Sequence, residues 1–199
     1  MKHILCYGDS NTWGKRAYEG RLPDEKHWTQ LLGAKLGPNY KVIQEGLSGR
    51  FAGNLESGVN EFKNGQSSFE AIYRSAGPVD VVIIALGTND LKSKYARKAK
   101  DIYSDIMWYV SKANAIASDE GDLPAKPLII TPANFVPKED YFFAEPSVRE
   151  ELLELFMECE HPFIMLGDLE ITDDGVHYTE NDHIRVADSV YSEIKELGL

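Results

Sequence analysis

Five short apolar runs, each breaking into turn residues, constrain this chain more than any other feature. His3-Ile4-Leu5-Cys6-Tyr7 runs into Gly8-Asp9-Ser10, and Tyr40-Lys41-Val42-Ile43-Gln44 runs into Glu45-Gly46-Leu47-Ser48-Gly49. Val79 to Leu86 ends at Gly87-Thr88-Asn89-Asp90, Pro127 to Thr131 at Pro132, and Phe163 to Leu166 at Gly167-Asp168. Continuous β-branched runs suit strands covered on both faces, which means a parallel sheet. Between them the apolar spacing becomes helical. It predicts helices over Glu25 to Leu36, Ala99 to Ala117, Ser147 to Cys159 and Glu180 to Leu197, the last with Thr179 as N-cap. A looser pattern around Asn54 to Tyr73 predicts one more. Strand and helix alternate throughout, so an α/β fold is expected: an open, doubly wound sheet with right-handed crossovers and helices on both faces. With 199 residues and no repeat, linker or low-complexity tract, residues 1–199 are expected to form one domain with a single sizeable core.

Charge narrows the partners. Lys and Arg number 21 against 32 Asp and Glu, a formal net charge of -11. Nucleic acid and anionic membranes attract basic surfaces, so neither is expected as a partner. The two cysteines, Cys6 and Cys159, cannot build a disulfide framework or a metal cluster by themselves. The first apolar run is interrupted at Gly8 and Asp9, too early for a signal or membrane segment, so a cytoplasmic protein is expected.

In a doubly wound sheet the loops after the strands open on one edge, and ligands bind there. The first strand delivers Asp9, Ser10 and Asn11 to that edge, and the second delivers Ser48, Gly49 and Arg50. The third delivers Thr88, Asn89 and Asp90; the fourth Thr131 and Asn134; the fifth leads to Asp173, Asp174 and His177. These groups suit nucleophilic acyl transfer. A serine hydroxyl needs a base to remove its proton, and histidine is the usual one near neutral pH. The base in turn needs a carboxylate to fix its tautomer, and Asp174 stands three residues before His177. The backbone N–H of Gly49 and Ser10 and the Asn89 amide are candidate donors to an oxyanion.

Each element also has an ordinary structural reading: Ser10 an N-cap, Asn89-Asp90 a turn, the glycines backbone geometry, and Asp174 with His177 a helix entry. Four such readings would have to coincide at one sheet edge. The other histidines offer no comparable pairing. His3 opens a strand at its wrong end, His27 and His183 lie on helices, and His161 precedes a strand. A phosphate cradle fails in "CYGDSNTWGK", because Gly8 and Gly14 are separated by five residues and Lys15 is followed by Arg16. A G-x-S-x-G elbow fails at Thr12. His177 and Asp174 are a weak pair for a metal without a third ligand, so no metal is expected.

Four ordered blocks, "YGDSNTWG", "EGLSGR", "LGTND" and "DDGVHYT", resemble those of the SGNH or GDSL-type hydrolases. The first is similar to the branch containing bacterial arylesterases and acyltransferases. The resemblance implies a three-layer α/β/α, flavodoxin-like fold with five parallel strands in the order 2-1-3-4-5. It implies Ser10 as nucleophile and oxyanion donor, Gly49 and Asn89 as further oxyanion donors, and Asp174 and His177 as the rest of a triad. It also implies ester hydrolysis, often deacetylation, with no metal or organic cofactor. Asn11 stands where the family's short name has leucine, a position without a chemical role. Many members of that branch are oligomeric, which leaves a homo-oligomer open.

A small-molecule ester is therefore the expected partner, hydrolysed through an acyl-enzyme. Asp9, Trp13, Arg50 and Phe135 are the candidate residues of its pocket, with Phe51, Tyr141, Phe142 and Phe143 as further aromatic walls or a lid. No residue in the motifs selects an acyl group by charge, so small uncharged acyls are expected. The triad is silent between this reaction and carbohydrate deacetylation, thioester cleavage or acyl transfer, and a non-catalytic binding protein is the remaining alternative.

Overall fold

The computed structural model describes residues 1–18, 20–55 and 60–198. Its sheet has five parallel strands, β1 (Lys2–Gly8), β2 (Tyr40–Gly46), β3 (Val81–Ala85), β4 (Lys126–Ile130) and β5 (Phe163–Ile164), in the order β2-β1-β3-β4-β5. Around it run α1 (Ser10–Trp13), α2 (Trp28–Leu36), α3 (Gly65–Ala76), α4 (Ala99–Glu120), α5 (Pro146–Met157) and α6 (Glu180–Glu196). This is the α/β/α arrangement and strand order that the resemblance implies.

The strands read as unbroken apolar runs because both faces are covered. In β1, Leu5 and Tyr7 join one core with Val82, Ile84 and Ile129, packed under α3, α4 and α5. Ile4 and Cys6 join the opposite core with Val81, Ile83, Leu128 and Ile130, under α2 and α6. Successive side chains of a strand point to opposite faces, so a two-sided burial demands apolar residues at every position. Burial in that core pushes the Cys6 thiol far up, which makes it a packing residue.

Helix ends follow their caps. Thr179 Oγ1 accepts the Asp182 N–H at 3.1 Å while the Asp182 carboxylate accepts the Thr179 N–H at 3.0 Å, a reciprocal cap on α6. Pro146 opens α5, where its missing N–H costs nothing. Several expected boundaries shift, and α4 runs three residues past Ala117 to Glu120. Asp24–Lys26 forms a separate 3-10 turn, so α2 starts at Trp28 and His27 caps it, outside the helix. The helix expected around 54–73 begins at Gly65, after a 3-10 turn at Glu61–Lys63; residues 56–59 of that expectation lie outside the described residues. The strand expected to reach Leu166 ends at Ile164. Among the described residues no helix is long and apolar enough to cross a membrane.

Candidate active site

β1 ends at Gly8, and α1 begins two residues later at Ser10. The bend is tight enough that a Cβ on Gly8 would lie 2.0 Å from Thr12 Oγ1, so only glycine fits. Asp9 caps the turn, accepting the Asn11 N–H at 2.9 Å. Its carboxyl is buried and pushed up by that burial. The side chain expected in the substrate pocket is thus almost wholly enclosed.

Ser10 Oγ lies 2.9 Å from His177 Nε2, and His177 Nδ1 lies 2.6 Å from Asp174 Oδ2. These three side chains come from opposite ends of the chain and meet at the carboxyl edge of the sheet. Asp174 Oδ1 accepts the backbone N–H of Val176 and of His177, both at 3.1 Å, and the Thr172 hydroxyl at 2.9 Å. Burial alone would raise the Asp174 carboxyl. The hydrogen bonds from His177 and Val176 outweigh it and hold the group well below the usual carboxylate range. An ionised Asp174 accepts only, so the His177 proton sits on Nδ1 and Nε2 is left as the acceptor facing Ser10.

The loop carrying Asp174 and His177 is pinned at both ends by the buried Asp182. Its carboxylate accepts the N–H groups of Glu170 and Ile171 before the loop, at 3.0 and 3.1 Å, and the Thr179 hydroxyl after it, at 2.8 Å. Asn11 pins the middle. Its Nδ2 donates to the Val176 carbonyl at 3.2 Å and its Oδ1 accepts the Tyr178 N–H at 3.1 Å, on either side of His177. The position read as idle in the sequence is thus a positioning residue. Its signal, a carboxamide directly after the serine, gives no hint of a partner 165 residues away. Asn11→Leu would strand a buried carbonyl and a buried N–H, costing about 2–4 kcal/mol of stability. With the imidazole less firmly held, kcat is expected to fall by roughly 10–100-fold with little change in KM. Steady-state kinetics beside a thermal melt check both, and wild-type turnover in a folded variant would remove the positioning role.

The loops that follow β2 and β3 are interlocked. Asn89 Nδ2 donates to the Arg50 carbonyl at 3.1 Å, leaving its second N–H. Next to it the buried Asp90 accepts the Ala52 N–H at 2.8 Å, with Arg97 at 2.5 Å on the other side; burial raises its carboxyl to about 6. Gly49, at φ 82°, stands in the left-handed region on the same loop. Among the described residues the Ser10 and Gly49 N–H groups have no backbone acceptor.

Arg50, expected in the pocket, is buried. Its guanidinium turns inward, donates to the Gly8 carbonyl at 2.9 Å and to that of Glu45, and lies 4.0 Å over the Tyr7 ring. It welds the ends of β1 and β2 together. Phe135 packs on the buried Phe142 with ring centroids 5.3 Å apart, and Trp13 stacks with Arg21 at 5.3 Å; both are half-buried and are not among the residues that line the two cavities beside the site. One cavity, of about 440 Å³, is walled by Tyr141 and Phe143; the other, of about 460 Å³, by Gly49, Phe51 and Tyr95. Lys92 and Lys94 border both. The Tyr141 ring is 6.2 Å from that of His177. Thr131 and Asn134 stitch loops: Thr131 donates to the Ile164 carbonyl and Asn134 pairs both ways with Leu169. His27 and His183 are buried; His183 Nδ1 accepts the Trp28 N–H at 3.2 Å.

A parallel α/β/α sheet with this polar constellation at its carboxyl edge defines a hydrolase scaffold. A sequence model of the GDSL-like lipase/acylhydrolase family matches residues 4–190. The chain belongs to that family, and it is a carboxylic ester hydrolase. Among solved structures it is similar to an aryl esterase from M. smegmatis, at 30% identity and a TM-score of 0.86 over 99% of this chain and 100% of that one. It is similar also to Est24, a carbohydrate acetylesterase from Sinorhizobium meliloti, at 29% identity and a TM-score of 0.85 over 99% and 100%. A carbohydrate acetylesterase family member from the same organism aligns at 26% identity and 0.86 over the whole of both chains. A comparison with curated proteins returns no match.

Proposed function

We propose that this protein hydrolyses esters of small acyl groups, acetyl foremost, through an acyl-enzyme on Ser10. The observation that carries this reading is the hydrogen-bonded chain from Ser10 Oγ through His177 to Asp174, at 2.9 and 2.6 Å. Ser10 Oγ attacks the ester carbonyl carbon as its proton passes to His177 Nε2. The carbonyl π pair moves onto oxygen, where the N–H groups of Ser10 and Gly49 and the free Asn89 amide N–H stabilise the charge. Collapse of that tetrahedral species expels the alcohol, which takes the proton from Nε2, and leaves an ester on Ser10. Water, deprotonated by the same nitrogen, then releases the acid and restores the serine. Asp174, held anionic, stabilises the transient imidazolium in both halves.

Likeness to the two acetylesterases and the aryl esterase supports small acyl groups and favours a carbohydrate acetate as the second reading. Treatment with a fluorophosphonate checks the nucleophile directly. The expected result is a single adduct on the peptide containing Ser10, formed in step with loss of p-nitrophenyl acetate hydrolysis. An adduct on any other residue would overturn the assignment.

A further inference from the structure

The chain carries a formal net charge of -11, yet the rim beside Ser10 collects three lysines from two separate segments. Lys63 closes the 3-10 turn ahead of α3, while Lys92 and Lys94 follow the Asn89–Leu91 turn. Lys63 Nζ lies 3.1 Å from where a Cβ on Gly49 would stand, so its ammonium sits against the oxyanion-side glycine. The Phe51 N–H donates to the Lys63 carbonyl at 2.9 Å, which fixes the Lys63 turn against the loop that carries Gly49. All three lysines line the cavity that opens at Gly49, and Lys92 and Lys94 continue into the one beside Tyr141.

Among the described residues no carboxylate oxygen lies within 4.0 Å of these three ammonium groups. Lysine ion pairs within that distance involve Lys26, Lys35 and Lys112 instead. Glu139 and Asp140 stand on the wall of the Tyr141 cavity, and the buried Asp9 and Asp90 act on Lys92 less than Lys94 and Lys63 do. Burial, with Lys94 and Lys63 close by, pushes the Lys92 ammonium down to about 8. Like charges gathered at a half-enclosed opening raise one another's energy, and a bound anion relieves that repulsion where a neutral ester cannot.

We propose that Lys63, Lys92 and Lys94 form an anion-recognition rim, and that the esters turned over at Ser10 carry a carboxylate, phosphate or sulfonate within its reach. The proposal rests on the esterase reading and departs from the expectation of uncharged substrates. The charge can lie on the alcohol or on the acyl side, and paired probes separate the two. For the alcohol side the pair is 4-acetoxybenzoate and its methyl ester; for the acyl side, phenyl hemisuccinate and phenyl butyrate. Each kcat/KM is divided by the hydroxide-catalysed rate.

In at least one pair the anionic ester is expected to lead by about tenfold or more at low salt, with the lead shrinking in 1 M NaCl. In Lys63→Gln/Lys94→Gln, both on the cavity rim, the ratio is expected to fall about tenfold; Lys92→Gln is the third variant, its stability followed by melting because the ammonium lies 5.8 Å over the Phe142 ring. Calorimetric binding of the same probes to Ser10→Ala reads the charge preference without turnover. Equal binding and equal kcat/KM within both pairs would overturn the anion rim. A retained binding preference with no ester hydrolysed by the wild type would instead overturn the esterase reading and leave the rim standing.

Discussion

Ser10→Ala is expected to lose p-nitrophenyl acetate hydrolysis by a factor on the order of 10⁴ or more, while its thermal midpoint stays within a few degrees of the wild type. Both parts follow from the geometry. The Ser10 hydroxyl has His177 Nε2 as its hydrogen-bond partner at 2.9 Å, and removing it deletes the attacking atom. The backbone N–H and the cap on α1 by Asp9 survive the change, because neither uses the side chain. What remains is a site that binds ester and presents oxyanion donors without forming a covalent intermediate. Residual hydrolysis should then show no initial burst and no sensitivity to fluorophosphonate. Wild-type turnover in the purified variant would require another nucleophile.

Asp174→Asn should cost nearly as much, on the order of 10⁴ in kcat, for a different reason. The asparagine fills the same space and its oxygen can still accept from the Val176 and His177 N–H groups, both at 3.1 Å from Oδ1. Its amide, however, points an N–H at His177 Nδ1. Nδ1 must then become the acceptor, the imidazole proton moves to Nε2, and no lone pair faces the Ser10 hydroxyl. A variant with native circular dichroism, near-native stability and the predicted loss would match this account. Activity within tenfold of the wild type would mean that Asp174 does not set the tautomer.

How much of this was legible in the sequence depends on how local each cause is. β3 and β1 were readable because burial on both faces imposes an apolar residue at every position. The Thr179 cap was readable because its partner, Asp182, is three residues away. The ends of α2 and β5 were less so. His27 is held by the Leu22 carbonyl at 2.9 Å, and the ladder stops after Ile164 where Thr131 Oγ1 takes the Leu166 N–H. Within the site, Ser10, Asn89, Asp174 and His177 could be gathered because parallel topology sends all strand ends to one edge. Side-chain direction could not. Arg50 follows β2 as a pocket residue should, yet its guanidinium finds the Gly8 carbonyl and the Tyr7 ring instead. Asn11 and Asp182 act through partners that share no motif with them, and the lysine rim unites segments separated by α3, β3 and the turns between them.

The union of Ser10 with His177 spans 167 residues, from the first strand to the loop before the last helix. A contact so far apart in sequence offsets its closure entropy only once the elements between its two ends have packed. The Ser10–His177 contact is therefore a seam between the first strand and the loop before the last helix. A nascent or partly folded chain, however much helix it contains, has its hydroxyl without a base. Ester turnover during refolding should accordingly trail circular dichroism, which makes the enzyme's own reaction a reporter of the last contacts to form.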